Sequence, residues 1–182
     1  IGYFKTRKED TTDIIIPLPP PAPPIRTTQF SENDIEHTNL YLYSYIDLLR
    51  DVTLTVGGSA DFYKGDLIDR NQFNPKFGVT WNPLNGTTLR AAAFRTLKRT
   101  LITDQTLEPT NVAGFSQFFD DGAGTQAWTY GAGIDQKFSK NIYGGAEYYR
   151  RDLDVPFQFI TNPPPPQMPT SEVREADWKE HE

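Results

Sequence analysis

The chain has 182 residues, of which 23% are charged and 37% apolar, with a formal net charge of −6, two His and no Cys. Without cysteine there are no disulfides, no thiolate zinc site and no cysteine nucleophile, and two histidines cannot build a histidine-rich metal site. The acidic balance argues against a nucleic-acid partner, because such binding depends on cationic contacts with phosphates. The sequence contains no apolar run of about 18 residues, so it predicts no transmembrane helix. The aromatic content of 13% is too high for a disordered chain and is typical of a β protein.

Apolar and polar residues alternate with a period of two along much of the sequence, which predicts β-strands. In the clearest case, Val52, Leu54 and Val56 begin one face, and Thr53, Thr55, Ser59 and Asp61 lie on the other. In chain order the predicted strands are a partial strand at Ile1–Lys8, then Leu40–Leu48, Val52–Phe62, Lys76–Trp81, Thr88–Phe94, Ala127–Phe138 and Ile142–Arg151, and a second partial strand from near Val173. The sequence therefore predicts an all-β protein with about six full strands and two cut ones.

The connections between these strands alternate between short and long. The short ones are Leu49–Asp51, Asn82–Gly86 and Ser139–Asn141, and the long ones run from Glu9 to Glu36, Lys64 to Asn74, Leu97 to Thr125 and Asp152 to Ser171. This alternation places all short turns at one end of an antiparallel up-and-down meander. Transmembrane β-barrels have that asymmetry, with short periplasmic turns and long extracellular loops, and their strands cross the membrane with about 9–11 residues. We therefore predict part of a transmembrane β-barrel.

A barrel of this kind exposes only alternate strand residues to lipid, so a mean hydropathy of −0.57 is compatible with it. The interfacial aromatic girdles are predicted at Phe62, Tyr63, Trp81, Trp128, Phe138, Tyr148 and Tyr149. The charged residues predicted to face the lumen are Asp61, Arg90, Asp135, Lys137, Glu147 and Arg151. They either set selectivity or hold a plug, or they pair with one another to satisfy buried charge. The alternative fold is a soluble sandwich or lipocalin-like barrel with its apolar face turned inward.

Two segments carry a family resemblance. The hairpin formed by Phe73–Pro83 and Thr87–Arg95 resembles the barrels of TonB-dependent receptors from Gram-negative outer membranes. Leu107-Glu-Pro-Thr110 is similar to a Leu-x-Pro-Glu element of that family, with Thr110 in place of the acidic residue and an insertion of about fifteen residues after it. The longer phrase Leu107–Phe119 also resembles C-terminal barrels that are joined to tetratricopeptide repeats.

The resemblance implies an outer-membrane protein that takes up a ligand, with outer-membrane lipid around it and a TonB-type energy-coupling protein as partner. It does not indicate which ligand. Alternatives are a repeat-linked barrel for secretion or anchoring, and a soluble binding module. The chain starts at Ile1 and ends in charged sequence at Glu182, which favours residues 1–182 as a fragment of one barrel domain, without a plug domain or signal peptide.

Other motifs have modest interpretations. The proline-rich Pro17–Pro24 and Pro163–Pro166 favour stiff polyproline spacers over docking ligands. Val112, Phe115 and Phe119 follow Pro109 at helical spacing, which predicts either a short helix capping the lumen or a continued strand. Calcium binding by Asp120, Asp121, Asp152 and Asp154 is a weaker interpretation than a turn. A Ser-His-Asp triad would need His37, at a loop edge, or His181, so we predict no enzyme, no catalytic residues, no cofactor and no metal site.

Overall fold

The structure, a computed structural model, describes residues 2–16, 25–65, 68–98, 108–117, 121–161 and 170–181. The strands are β1 (Gly2–Ile16), β2 (Ile25–Leu49), β3 (Val52–Lys64), β4 (Asp69–Leu84), β5 (Thr87–Leu97), β6 (Asn111–Val112), β7 (Phe115–Ser116), β8 (Gln126–Lys137), β9 (Tyr143–Thr161) and β10 (Thr170–His181). Eight of them form one antiparallel sheet in the order β1-β2-β3-β4-β5-β8-β9-β10. The predicted all-β meander is confirmed. Its edge strands, β1 and β10, do not pair with each other within the described ranges, so the described sheet is open, as a partial barrel would be.

The three predicted short turns all lie at one end of the sheet. They join β2 to β3, β4 to β5 and β8 to β9. In the turn from β4 to β5, Gly86 has a φ of +85°, a conformation that a residue with a Cβ adopts only at a cost. No helix in the described part of the chain is both long and apolar enough to cross a membrane.

At the opposite end the strands are longer than predicted. The pairing of β1 with β2 extends to Ile16 and Ile25, that of β9 with β10 to Thr161 and Thr170, and β4 starts at Asp69. The long connections predicted at Glu9–Glu36, Lys64–Asn74 and Asp152–Ser171 are therefore wrong. A backbone ladder needs no apolar face, so a two-stranded ribbon outside the core carries no alternation to reveal it. Pro17–Pro24 and Pro163–Pro166 lie outside the described residues.

Burial in the central strands is inverted relative to a soluble protein. Asp61 and Lys76 are 2% and 1% exposed, whereas Leu42 and Phe77 are 78% and 52% exposed. We call the side of the sheet that carries Asp61 and Lys76 the polar face, and the opposite side the outer face. An extended apolar surface of this kind marks an interface with another apolar phase. The alternative fold, a soluble sandwich, predicts buried apolar side chains and exposed polar ones, which is the reverse of this arrangement.

The predicted aromatic girdle is only partly in place. Phe62, Trp81, Phe138 and Tyr148 are exposed, and Trp128 and Tyr149 are half-buried. Tyr63 is instead buried and packs with Ile35 and Leu97. The difference follows from the two-residue period, because Tyr63 shares a face with Asp61 rather than with Phe62.

Candidate functional site

A small hairpin from the connection between β5 and β8 folds back onto the polar face. Its strands are β6 and β7, and Val112 pairs with Phe115 across a two-residue turn. Ala113 and Gly114 in that turn have φ angles of +48° and +87°, as a type I′ hairpin requires. We call residues 108–117 the in-folded hairpin. Neither the helix nor the continued strand predicted for this segment is present, and Phe119 lies outside the described residues.

Apolar contacts hold the tip of the in-folded hairpin on the sheet. Val112 is fully buried and Phe115 is 4% exposed, and both pack against Ala92 and Phe94 of β5. The half-buried Tyr43 and Ala113 border this cluster. This apolar contact lies within an otherwise polar face, so the hairpin docks at one defined place. We call this docking site on the sheet, formed around Ala92 and Phe94, the seat.

Two strand glycines make room for that seat. A Cβ atom added at Gly78 would lie 2.8 Å from the Ala113 Cβ, and one added at Gly131 would lie 2.6 Å from the Phe115 ring. Distances below 3.0 Å would force the hairpin to move. The guanidinium carbon of Arg90 lies 5.1 Å from the centre of the Phe115 ring, which completes the seat with a cation–π contact.

A buried polar cluster holds the base of the in-folded hairpin. The Tyr43 hydroxyl donates to Glu108 Oε1 at 2.6 Å, and Lys76 Nζ lies 3.5 Å from the same oxygen. Lys76 also donates to Gln117 Oε1, and Gln117 Nε2 lies 3.0 Å from the Tyr43 hydroxyl oxygen. Lys76 and Glu108 are both almost fully buried, so each compensates a charge that would otherwise be costly to desolvate.

Next to this cluster, Asp61 is the centre of a second buried polar group. His37 Nε2 lies 2.7 Å from Asp61 Oδ1, and the side-chain amides of Asn39 and Asn74 donate to the carboxylate at 2.8 and 2.6 Å. Asn39 also donates to Glu108 Oε2 at 3.4 Å, which links the two groups. His37 therefore lies within β2, and its predicted position at a loop edge is wrong because β2 starts at Ile25.

The other predicted lumen residues lie in two further places. Arg90 donates to Asp135 Oδ2 at 2.7 Å and to Glu147 Oε2 at 3.2 Å, which joins β5, β8 and β9 by charge. Lys137 is exposed near the short turns, with its Nζ 5.4 Å from the Tyr143 ring centre. Three of the six predicted lumen charges, Arg90, Asp135 and Glu147, thus contact one another, and the other three contact residues outside the predicted set.

Arg151 lies apart from those residues. It is buried on β9 and donates to Asp121 at 2.5 Å and to Glu180 at 2.9 Å. Asp152 accepts from Arg150, and Asp154 accepts from Gln126. Within the described residues no group of acidic and histidine side chains has the arrangement of a metal site, and Asp120 lies outside them.

Sequence reasoning missed the residues that hold the in-folded hairpin, above all Tyr43, Glu108 and Gln117. Lys76 was on the polar side of its predicted strand, but its partners come from a loop without periodicity. The available signal was the pair of glycines, Gly78 and Gly131, on the polar face. A glycine within a strand often marks close approach of another backbone or ring.

Together, a meander with turns at one end, an exposed apolar face and a buried polar face define an outer-membrane β-barrel protein. The sequence matches the family model of TonB dependent receptor-like β-barrels over residues 2–174, and the chain belongs to this family. Comparison with curated proteins gave no match, and neither did comparison with solved structures. The family is one of receptor and transport barrels, and the match carries no information on tetratricopeptide repeats.

Proposed function

We propose that the chain forms part of the barrel of a TonB-dependent receptor in a Gram-negative outer membrane and takes part in the uptake of a ligand. Family membership supports this proposal. The observation that carries it is the inverted burial, with Leu42 and Phe77 exposed and Asp61 and Lys76 buried. In this assignment residues 1–182 are a piece of one barrel domain, and further strands close the barrel between β1 and β10.

In this proposal the polar face is the wall of the lumen. Asp61, Arg90, Asp135, Lys137, Glu147 and Arg151 then line the path of the ligand or contact a plug. In the resting barrel Arg90 pairs with Asp135 and Glu147. A polar ligand replaces these partners when it binds. The in-folded hairpin narrows the path from the side of the long connection between β5 and β8.

Two partners follow from the same proposal. The outer face contacts membrane lipid, because its exposed aliphatic and aromatic residues gain free energy by leaving water. A TonB-type protein supplies the energy for transport through parts of the receptor outside this chain. The ligand is left open, since the polar face combines both signs of charge and favours no single chemical class.

The orientation of the two faces can be tested directly because the chain contains no cysteine. Glu147 and Tyr148 are neighbours on β9 that point to opposite faces. In outer membranes, a membrane-impermeant maleimide should label Glu147→Cys, and a lipid-soluble maleimide should label Tyr148→Cys. Equal labelling of both variants by the water-soluble reagent, with the protein in the soluble fraction, would contradict the barrel.

Transport needs a separate test. Cells with and without the protein are grown in the same medium, and the solutes they remove are compared, with the energy-coupling protein present or deleted. We expect at least one solute to be removed only when both proteins are present. If removal is identical in all strains while the labelling pattern holds, the chain is a barrel without this uptake function.

A further inference from the structure

The sheet contains a gap between β4 and β5 at the end away from the short turns. Pairing of these strands starts at Lys76 and Phe94, although β4 begins at Asp69 and β5 continues to Leu97. The residue before Lys76 is Pro75, which has no N–H to donate to a ladder. The only side-chain bridge described across the gap is the bond from Gln72 Nε2 to the carbonyl oxygen of Thr96, at 3.2 Å.

The gap opens a cleft with a volume of about 550 Å³. We call it the β4–β5 cleft, and the lining residues that matter here are Arg70, Gln72, Phe73, Arg95, Gln126 and Trp128. Two cationic side chains, polar amides and two aromatic rings therefore surround one space. This combination differs from the apolar outer face around it.

Several polar atoms in the cleft lack a partner among the described residues. Arg70 Nη1, Arg95 Nε and Gln72 Oε1 are buried and make no hydrogen bond to any residue within the described ranges, and only 7% of the Gln72 surface is exposed. A buried polar group left without a partner costs about 1–3 kcal/mol. All three atoms belong to residues that line the cleft, so a ligand that satisfied them would offer two acceptors and one donor.

The charges around the cleft favour an anion. Arg70 and Arg95 repel each other across it. Arg70 also pairs with Glu175 of β10, and Arg95 Nη2 donates to Gln126 Oε1 at 2.5 Å. Asp154, which accepts from Gln126, is a second nearby carboxylate. Each guanidinium has one donor without a partner in the described part of the chain, so an anion between the two would relieve their repulsion.

We propose that the β4–β5 cleft is a binding site for a phosphate monoester. Phosphate oxygens accept from the free donors of Arg70 and Arg95, because guanidinium groups match the geometry of phosphate. A protonated phosphate oxygen, or a hydroxyl beside the ester, donates to Gln72 Oε1. Phe73 and Trp128 contact the body of the esterified molecule. The site needs only the fold and does not depend on the proposed transport function.

Trp128 provides the signal for a test. The whole chain, carrying Trp81→Phe and Trp178→Phe so that Trp128 is the single tryptophan, is titrated with inorganic phosphate in neutral detergent at constant ionic strength. We expect a saturable change in Trp128 fluorescence that chloride does not produce. Arg95→Gln should raise the apparent Kd at least tenfold, whereas Arg174→Gln, an exposed arginine paired with Glu172, should change it less than twofold.

A second variant protects the test against misfolding. Arg95→Lys keeps the charge and loses the forked geometry, so its Kd should lie between those of the parent and Arg95→Gln. Circular dichroism verifies that each variant is folded. A folded Arg95→Gln variant with the parent Kd would overturn the proposal, as would a parent chain that responds equally to chloride.

The source of the phosphate is resolved in nanodiscs. Discs of phosphatidylcholine, with and without phosphatidic acid, are compared in the presence and absence of free phosphate. A response to phosphatidic acid alone that Arg95→Gln removes identifies a lipid headgroup, and a response to free phosphate in phosphatidylcholine discs identifies a soluble ester. No response in either arm means that the cleft does not bind this chemistry.

Discussion

The centre of the sheet and its outlying ribbons are held together in different ways. In the centre, β3, β4 and β5 carry the in-folded hairpin, and buried side chains such as Lys76 and Phe94 are fixed by contacts outside their own ladder. In the ribbon of β9 and β10, the paired residues are mostly exposed, and contacts such as Arg174 with Glu172 face solvent. Strand pairing with a few ion pairs holds the ribbons, whereas the centre also needs one specific loop to cover its polar face.

The largest expected effect comes from breaking the buried ion pair at the base of the in-folded hairpin. Lys76→Met leaves Glu108 charged and buried, which should cost about 3–5 kcal/mol of stability. The measurement is urea unfolding in detergent micelles. Adding Glu108→Gln to Lys76→Met should recover much of the loss, because no unpaired charge remains.

The second ribbon, formed by β1 and β2, offers a matched comparison for that variant. Lys5 donates to Glu36 at 2.5 Å, and both side chains are exposed. Lys5→Met should leave the unfolding midpoint nearly unchanged, since solvent screens exposed pairs. If Lys5→Met and Lys76→Met were equally destabilising, the two regions would not differ in the way described.

The next effect concerns aromatic packing. Phe115→Ala removes the ring that fills the seat against Ala92 and Phe94, and should cost about 3 kcal/mol. Phe159→Ala, in the β9–β10 ribbon, removes a ring that is 41% exposed and should cost clearly less. Limited proteolysis of the connection between β5 and β8 would follow hairpin release in the first variant. Comparable cleavage rates in the two variants would contradict the seat.

A smaller effect of opposite sign is expected in the hairpin turn. Ala113 has a φ of +48°, where a residue with a Cβ is strained, so Ala113→Gly should stabilise the docked hairpin by up to about 1 kcal/mol. Ala132→Gly, in the regular strand β8, should destabilise the protein by about 0.5–1 kcal/mol. Urea midpoints that shift in the same direction for both variants would argue against the turn geometry.

The smallest effect is a pH dependence in the β1–β2 ribbon, above the membrane-spanning part of β2. The hydrogen bond from Lys5 lowers the pKa of the Glu36 carboxyl from its ordinary value of 4.5 and raises the pKa of Lys5 above 10.5. The contribution of Glu36 is therefore present above about pH 4.5 and is lost as pH falls through the lowered value. The contribution of Lys5 is present below about pH 10.5 and is lost as pH rises through the raised value.

Carbon NMR of the Glu36 carboxyl measures this pair directly. The titration midpoint should lie below 4.5 in the parent chain and move toward 4.5 in Lys5→Met. An unchanged midpoint in that variant would show that the ion pair does not form in solution.

The sequence was informative wherever one face of a strand is buried. Between Val52 and Phe62 the alternation placed every side chain on the correct face, because each face meets a different environment. It failed in the stretches of β2 and β9 that lie away from the short turns, where the sequence, as in Ser31-Glu-Asn-Asp34, does not alternate apolar with polar residues. It also could not locate Glu108, whose position depends on contacts made 65 and 69 residues away, with Tyr43 and Asn39.

The length of β2 has a consequence for what an approaching molecule meets first. Its 25 residues extend over roughly 80 Å at about 3.3 Å per residue, whereas a strand tilted by about 45° needs roughly 42 Å to cross about 30 Å of hydrocarbon. About half of β2 therefore stands in water with β1 beside it, and carries the pairs Lys5–Glu36 and Arg7–Asp34. Since the fields of these charges decay over about 8–10 Å at physiological salt, the projecting ribbon acts on a solute only at short range.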